Sequence, residues 1–376
     1  MANCLFILDS LTAIGGSERK AVRICNALAK RGYKLHVGYL NSPDSIKDEL
    51  DDHVTSIYLD RRGKFDWRVI QRLRRHIVEH NIGFVFCMNL YPALYGLITK
   101  KMIENNCLNC FVLINKHNFV PRSEEFKMFV YMPLLQIASK IVFGCLNQQR
   151  RWTRRYLLNS RRCSYIYNGV DCSWFSPDSY KMEREDVRQS FGFLPNDIIV
   201  ANVAAFLPKK RQGDLIVACA RLAEMGYPVR LALAGDGPER DALARVAKNA
   251  GFTNRTHFLG QVLDIRPLLN ACDIFALSSV AENFSNAALE AMSMAKPVVL
   301  SEVGGASEMV TEGLNGFLFP PFDVSSLVLK LKLLFDDQLS RERIGCEARK
   351  IVVERFNFNS MIDDYERLMT EGSYYH

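Results

Sequence analysis

The chain has 376 residues, too many for one comfortable core, so length alone implies about two domains. With 48% hydrophobic and 24% charged residues it is neither disordered nor fibrous, and no stretch offers the ~18 uncharged apolar residues of a spanning helix. Net charge is +7, unevenly placed: residues 1–165 hold 26 Lys and Arg against 13 Asp and Glu, the remainder 22 against 28.

Strand-like and helix-like segments alternate from the start. Cys4–Leu8, with no basic segment before it, reads as a buried first strand rather than a signal peptide. Glu18–Arg31 reads as a helix, Leu35–Tyr39 as a strand, Trp67–Glu79 as a helix and Phe84–Met88 as a strand. Pro92–Ile103 then reads as a helix and Cys110–Ile114 as a strand. The apolar run Met128–Leu146 is interrupted by Pro133 and Lys140. The alternation restarts with strand Ile198–Val203, helix Gly213–Ala223, strand Arg230–Ala234, helix Glu239–Asn249 and strand His257–Leu259. Ile274–Leu277 is a strand, Asn286 opens a helix closed by Lys296-Pro297, and Val298–Leu300 is a strand. An amphipathic segment (Met361, Tyr365, Leu368) ends the pattern. Such alternation predicts βαβ units in two parallel sheets. The expected division is 1–175, with 356–376 crossing back onto it, and 176–355.

The polar loops that could carry chemistry follow strands. Gly15-Gly16-Ser17-Glu18 opens the first helix, where glycines allow close backbone approach and a helix N-terminus can receive phosphate. Neither GxGxxG nor a Walker lysine is present. His117 stands just past the strand Cys110–Ile114, a strand-end position from which it could hydrogen-bond a sugar hydroxyl or ease proton movement. Lys209-Lys210-Arg211 lies beyond Ile198–Val203, where a fixed cation suits a departing diphosphate. Gly235-Asp236-Gly237-Pro238-Glu239 reads as a turn and helix start that could line a nucleotide pocket, and Gly304-Gly305 is a second glycine turn.

The most informative segment joins Ile274–Leu277 to the following helix. Glu282 sits at the strand's carboxyl end and Glu290 about one turn inside the helix, with Ser285 or Asn286 as N-cap. Ligands of open parallel sheets bind at that edge. A carboxylate is unsuited to phosphate but accepts both donors of a vicinal diol, at roughly 1.5–3 kcal/mol per charge-assisted bond. Amides for phosphate beside carboxylates for diols describe a sugar nucleotide. Cys/His clusters at metal spacing are absent from the sequence, and Asp51-Asp52 sits in a charged loop, not at a strand end. Eleven cysteines, with Cys107 and Cys110 the one pair at CxxC spacing, suggest a reducing, cytoplasmic compartment rather than a disulfide framework.

Taken together, these loops resemble the retaining glycosyltransferases of family 4. The resemblance rests on Gly15-Gly16-x-Glu18, Asn168-Gly169-Val170-Asp171 with Phe175, Gly235-Asp236-Gly237-Pro238-Glu239, Phe258-Leu259-Gly260, Glu282-x7-Glu290 and Gly304-Gly305-x-x-Glu308. It implies an α/β chain of the GT-B fold, two doubly wound, Rossmann-like parallel-sheet domains facing across a cleft, the first binding acceptor and the second donor. It further implies catalytic roles for His117, Lys210 and Glu282, with donor contacts from Gly15, Gly16, Lys209, Arg211, Gly235, Asn283, Phe284, Ser285, Asn286 and Glu290. Glu282 would meet the hexose hydroxyls and Glu290 the ribose diol. The implied donor is a UDP- or GDP-sugar, with no cofactor and no metal. Two departures stand out. Ala204-Ala205-Phe206 replaces the usual Gly-Arg-Leu, leaving Lys209 or Arg211 to compensate for the arginine, and Asn283 replaces a common glycine.

The expected activity is transfer of a hexose, with retention, from a nucleoside diphosphate sugar to a saccharide or lipid-linked hydroxyl in bacterial polysaccharide or lipopolysaccharide assembly. Two alternatives share the scaffold: a non-catalytic sugar-nucleotide or polyanion-binding protein, and a sugar-nucleotide epimerase. The basic first half, with Arg61-Arg62-Gly63-Lys64 ahead of Arg68, Arg72, Arg74 and Arg75, and Arg150, Arg151, Arg154 and Arg155 further on, suggests peripheral attachment to an anionic membrane on its inner face. No nucleic-acid-binding motif accompanies the charge. Base, hexose, acceptor, linkage and oligomeric state are not spelled out by the residues.

Overall fold

In the computed structural model, residues 2–12, 16–103, 108–114, 128, 131–180 and 182–372 are described. The chain divides into two compact units, Met1–Tyr167 with Ile362–His376, and Asn168–Met361.

The first unit is built on a seven-stranded parallel sheet: β1 (Asn3–Ser10), β2 (Lys34–Asn41), β3 (Val54–Tyr58), β4 (Ile82–Met88), β5 (Asn109–Ile114), β6 (Lys140–Phe143) and β7 (Cys163–Tyr165). Its order is β3-β2-β1-β4-β5-β6-β7, so the winding reverses between β1 and β4. β5 is buried along its whole length, as expected of a strand covered on both faces. Leu5, Ile7, Val85, Val112 and Ile141 of the sheet meet Val69, Ile70 and Leu73 of helix Trp67–Glu79 in one apolar core. The opposite face takes Tyr365 of helix Phe358–Gly372, whose ring lies 6.1 Å from that of Phe86. Met369 of the same helix meets the Cys4 thiol at 3.5 Å, and Arg31 reaches Asp363 at 2.6 Å.

The second unit repeats the plan with β8 (Ile198–Val203), β9 (Val229–Ala234), β10 (Thr256–Gly260), β11 (Ile274–Leu277), β12 (Val298–Ser301) and β13 (Gly316–Phe319), ordered β10-β9-β8-β11-β12-β13 and parallel throughout. Here the reversal falls between β8 and β11. Both sheets show the doubly wound order whose ligands bind beyond the strands' carboxyl ends.

The division differs from the expected 175/176 and 355/356. The stretch Asn168–Phe175 belongs to the second unit because it is tied there. Asn168 Nδ2 donates to the Phe284 carbonyl at 2.7 Å, Ser293 Oγ donates to the Phe175 carbonyl at 2.6 Å, and Val170 exchanges bonds of 2.9 and 2.8 Å with Phe356 and Phe358. That last exchange also carries the second unit past residue 356. Four strands, β3, β6, β7 and β13, were not anticipated. β6 lies inside the apolar run Met128–Leu146, where Lys140 opens a strand.

Candidate functional site

Ile274–Leu277 is wholly buried between β8 and β12, so the chain must leave the sheet at Ser278 and turn back as a helix. Ser285 caps that helix, Asn286–Ser293, its hydroxyl accepting from the Ala288 amide at 3.3 Å. The free amides of such a terminus, with its partial positive charge, suit an anion. Phe284, 4% exposed, anchors the loop from below, its ring edge-on to Phe356 at 5.2 Å. Asn286 is exposed as the first helical residue, and Glu290 is half-buried one turn on.

Glu282 forms an ion pair with Lys210, side chains 14% and 17% exposed, and its Oε1 also accepts from Ser279 Oγ at 2.9 Å. Lys210 comes from the short turn Pro208–Lys210 beyond β8. That turn is fastened to the end of β11 by its backbone. Ser278 Oγ donates to the carbonyls of Arg211 at 2.8 Å and Lys210 at 3.2 Å, and the Val280 amide donates to the Lys209 carbonyl at 2.8 Å. Ser301 Oγ in turn donates to the Ser279 carbonyl. Burial, and next the neighbouring Lys210, hold the Lys209 amine below its ordinary value.

Arg211 is differently placed. Its backbone is left-handed, φ 49°, and its guanidinium makes two bonds to Asp214, 2.6 and 2.7 Å, while lying 4.8 Å over the Phe322 ring. The Asp214 hydrogen bonds raise its pKa further, so this cation is already committed to a carboxylate. Lys210 and Arg211 are thus each paired with a carboxylate, Glu282 and Asp214.

Two glycines are demanded by close approach. Gly235 has φ 142°, and a Cβ there would fall 2.0 Å from the Ala204 carbonyl oxygen. Gly304, φ 59°, would place a Cβ 2.3 Å from the Glu282 carbonyl oxygen, and the Gly305 amide donates to the Asn283 carbonyl at 2.7 Å. The glycine turn after β12 thus supports the backbone that carries Glu282. Glu282, Asn283 and Ser285 share a small concavity with Ser301, Val303 and Ala306.

Lys209, Lys210, Arg211, Gly235, Asn283, Phe284, Ser285, Asn286, Glu282 and Glu290 all lie on loops or helix starts beyond the carboxyl ends of β8, β9 and β11 in the second unit. Gly16 opens helix Gly16–Lys30 in the first unit. Gly15 and His117 fall outside the described residues. Ser278, Ser279 and Ser301 escaped the reading of the sequence as site residues. The signal available was a pair of serines directly behind a buried strand. Among the described residues, no group of three or more His, Cys, Asp or Glu side chains is placed to hold a metal ion.

Residues 14–174 match the family described as Glycosyltransferase Family 4, and residues 183–351 match Glycosyl transferases group 1. The N-acetyl-alpha-D-glucosaminyl L-malate synthase of Bacillus anthracis is 28% identical over 95% of this chain and 94% of its own length. A lipopolysaccharide core biosynthesis glycosyltransferase, LpsE of Rhizobium meliloti, is 31% identical over 46% of this chain and 49% of its own. Among solved structures, Anabaena HepE in complex with UDP superposes with a TM-score of 0.87 at 23% identity, covering 99% of this chain and 100% of that one. HepE with UDP-glucose gives 0.83 at 24% identity, over 98% and 99%. The chain is a glycosyltransferase of family 4, with the GT-B fold.

Proposed function

We propose that the second unit binds a UDP- or GDP-sugar and that the enzyme transfers its hexose, with retention of configuration, to a hydroxyl of a saccharide or lipid-linked acceptor in cell-surface glycan assembly. The observation that carries this reading is the Lys210–Glu282 pair, placed beside the N-terminus of the helix bearing Glu290. Lys210 exchanges its carboxylate partner for the donor diphosphate, and Glu282 is released to accept from hexose hydroxyls. As the anomeric C–O bond to phosphate breaks, charge grows on the leaving oxygen, and the ammonium stabilises it. The acceptor oxygen bonds to the anomeric carbon from that same face and its proton passes to the departing phosphate oxygen. Lysine supplies the countercharge in this scheme, and no metal enters it. Glu290 accepts from the ribose diol.

HepE complexes with UDP and UDP-glucose support the donor class, and the Rhizobium meliloti relative supports a surface glycan. The Bacillus anthracis relative, alike along nearly its whole length, is named for L-malate and favours a small hydroxy acid as a second acceptor class. The described cysteines are free, in keeping with a reducing, cytoplasmic setting.

The test is Glu290→Ala, titrated with UDP and GDP in a calorimeter. Loss of one or two charge-assisted bonds weakens nucleotide binding by about 10- to 100-fold at an unaltered melting temperature. Unchanged affinity for both nucleotides refutes the assignment.

A further inference from the structure

At the carboxyl end of β3, the edge strand of the first sheet, the turn after Asp60 runs into helix Trp67–Glu79. Between positions 60 and 78 stand seven Lys and Arg against two Asp. The helix turns Val69, Ile70, Leu73, His76 and Ile77 inward. Outward it shows a lengthwise stripe of Trp67, Gln71, Arg74, Arg75 and Val78, at the spacing of one helix face. Phe65 and Trp67 are 49% and 47% exposed, and Val78 is 61% exposed.

These rings do not project from a loose loop. The Asp66 carboxylate caps the helix, accepting from the Arg68 amide at 3.1 Å and the Arg62 amide at 2.9 Å, and its own amide donates to the Tyr95 hydroxyl at 3.1 Å. Phe65 stacks on Tyr95 at 5.7 Å with planes 8° apart, yet keeps half its surface outside. Arg61 is bound to Asn41 Oδ1 at 2.8 and 3.1 Å and lies 4.9 Å over Tyr91. Both acids are compensated locally, Asp66 by Arg68 at 2.9 Å and Asp60 by Arg62 at 3.3 Å. Lys64, Arg74 and Arg75 face outward with no carboxylate partner among the described residues. The result is a rigid, cationic face with two aromatic rings at one end.

We propose that this face docks onto a bilayer containing anionic phospholipid, with Phe65 and Trp67 in the interfacial layer and Lys64, Arg74 and Arg75 against the headgroups. Aromatic rings with cationic neighbours suit that layer, apolar on one side and charged on the other. A soluble polyanion would meet the charges but would leave the apolar ends of this face, Phe65 with Trp67 and Val78, in water. Among the described residues no helix is long and apolar enough to cross a membrane, so the contact is superficial. This surface is independent of the proposed donor chemistry.

The test uses the full chain with phosphatidylcholine vesicles, with and without one-third phosphatidylglycerol. Binding is expected on the anionic vesicles alone and weakens with salt. The triple variant Lys64→Gln, Arg74→Gln, Arg75→Gln lowers partitioning by about 100-fold, at about fivefold per basic residue. Phe65→Ser with Trp67→Ser lowers it by about tenfold or more. In a Trp174→Phe background, where the other indole, Trp152, is buried, brominated lipid quenches Trp67 emission. Equal binding to neutral vesicles, or anionic binding that survives both variants without Trp67 quenching, overturns the proposal. So does an absence of vesicle binding in a protein whose triple variant loses affinity for heparin.

Discussion

Replacing Lys210 by Met removes the ion-pair partner of Glu282 and leaves the Ser279 hydroxyl on Oε1. One-sided loss of a fully buried pair costs about 3–5 kcal/mol, whereas an exposed pair is worth about 0–1. With side chains 14% and 17% exposed, this pair falls between, at about 2 kcal/mol. For a unit of this size that lowers the melting transition by about 4–8 °C. Removing both charges, Lys210→Met with Glu282→Gln, leaves no unpaired ion, so the double variant recovers about 1–2 kcal/mol relative to the sum of the single changes. Turnover should not follow stability. If the ammonium meets the leaving diphosphate, Lys210→Met loses about 100- to 1,000-fold in kcat, and the double variant stays as inactive. The assay is nucleoside diphosphate release from whichever sugar nucleotide most raises the wild-type melting temperature, beside thermal unfolding of all four proteins. Lys210→Met within threefold of wild-type kcat/KM, or activity returning with stability in the double variant, would refute the reasoning.

Two further outcomes follow, one in each unit. Gly304→Ala sets a methyl 2.3 Å from the Glu282 carbonyl oxygen at φ 59°, so it should cost about 2–3 kcal/mol and weaken donor binding together with stability; an intact melting curve with normal donor affinity argues against the support role. In the first unit, burial, followed by the neighbouring His76, His80 and Lys34, holds His36 down to about 4, and His76 is likewise lowered. His36, 7% exposed, shares a 3.1 Å hydrogen bond with His76. Because the unfolded chain takes up the proton first, stability should fall as pH drops from about 6.5 towards 4, by about 2–3 kcal/mol for His36. Urea midpoints at neutral and mildly acidic pH should converge in His36→Phe relative to wild type, and an unchanged difference between the two conditions would count against the assignment.

Legibility in the sequence followed periodicity and burial. Trp67–Glu79 and Ile274–Leu277 stand where they were expected, because one has a sharp apolar stripe and the other is an uninterrupted apolar run bounded by polar residues. β13 was illegible: its first residue is Gly316, whose missing Cβ lets it lie against Val298, where a side chain would come within 2.6 Å of the carbonyl oxygen. A glycine reads as a turn until its partner strand is known. β3 and β7 are outer strands of only five and three residues, too short for a periodicity to set them apart from the flanking loops. In the site, placing Glu282 and Lys210 beyond strand ends followed from pattern alone. Their pairing did not, since they are 72 positions apart and meet through the order β8-β11. Arg211 was legible only in part, for a related reason. Its cationic character is visible, but its engagement with Asp214 depends on a left-handed backbone that no composition rule signals.

Helix Phe358–Gly372 places Tyr365 and Met369 against strands of the first sheet after the whole second unit has been traversed. On a ribosome, the first seven strands emerge early but lack the segment that seals one of their faces. At about 5–20 residues per second, the intervening stretch delays that closure by roughly 10–40 s. During this interval Cys4 and Phe86, fully buried in the finished protein, belong to a nascent surface open to holdase chaperones or to other emerging chains. The amino-terminal body is therefore completed only after the second unit has been made.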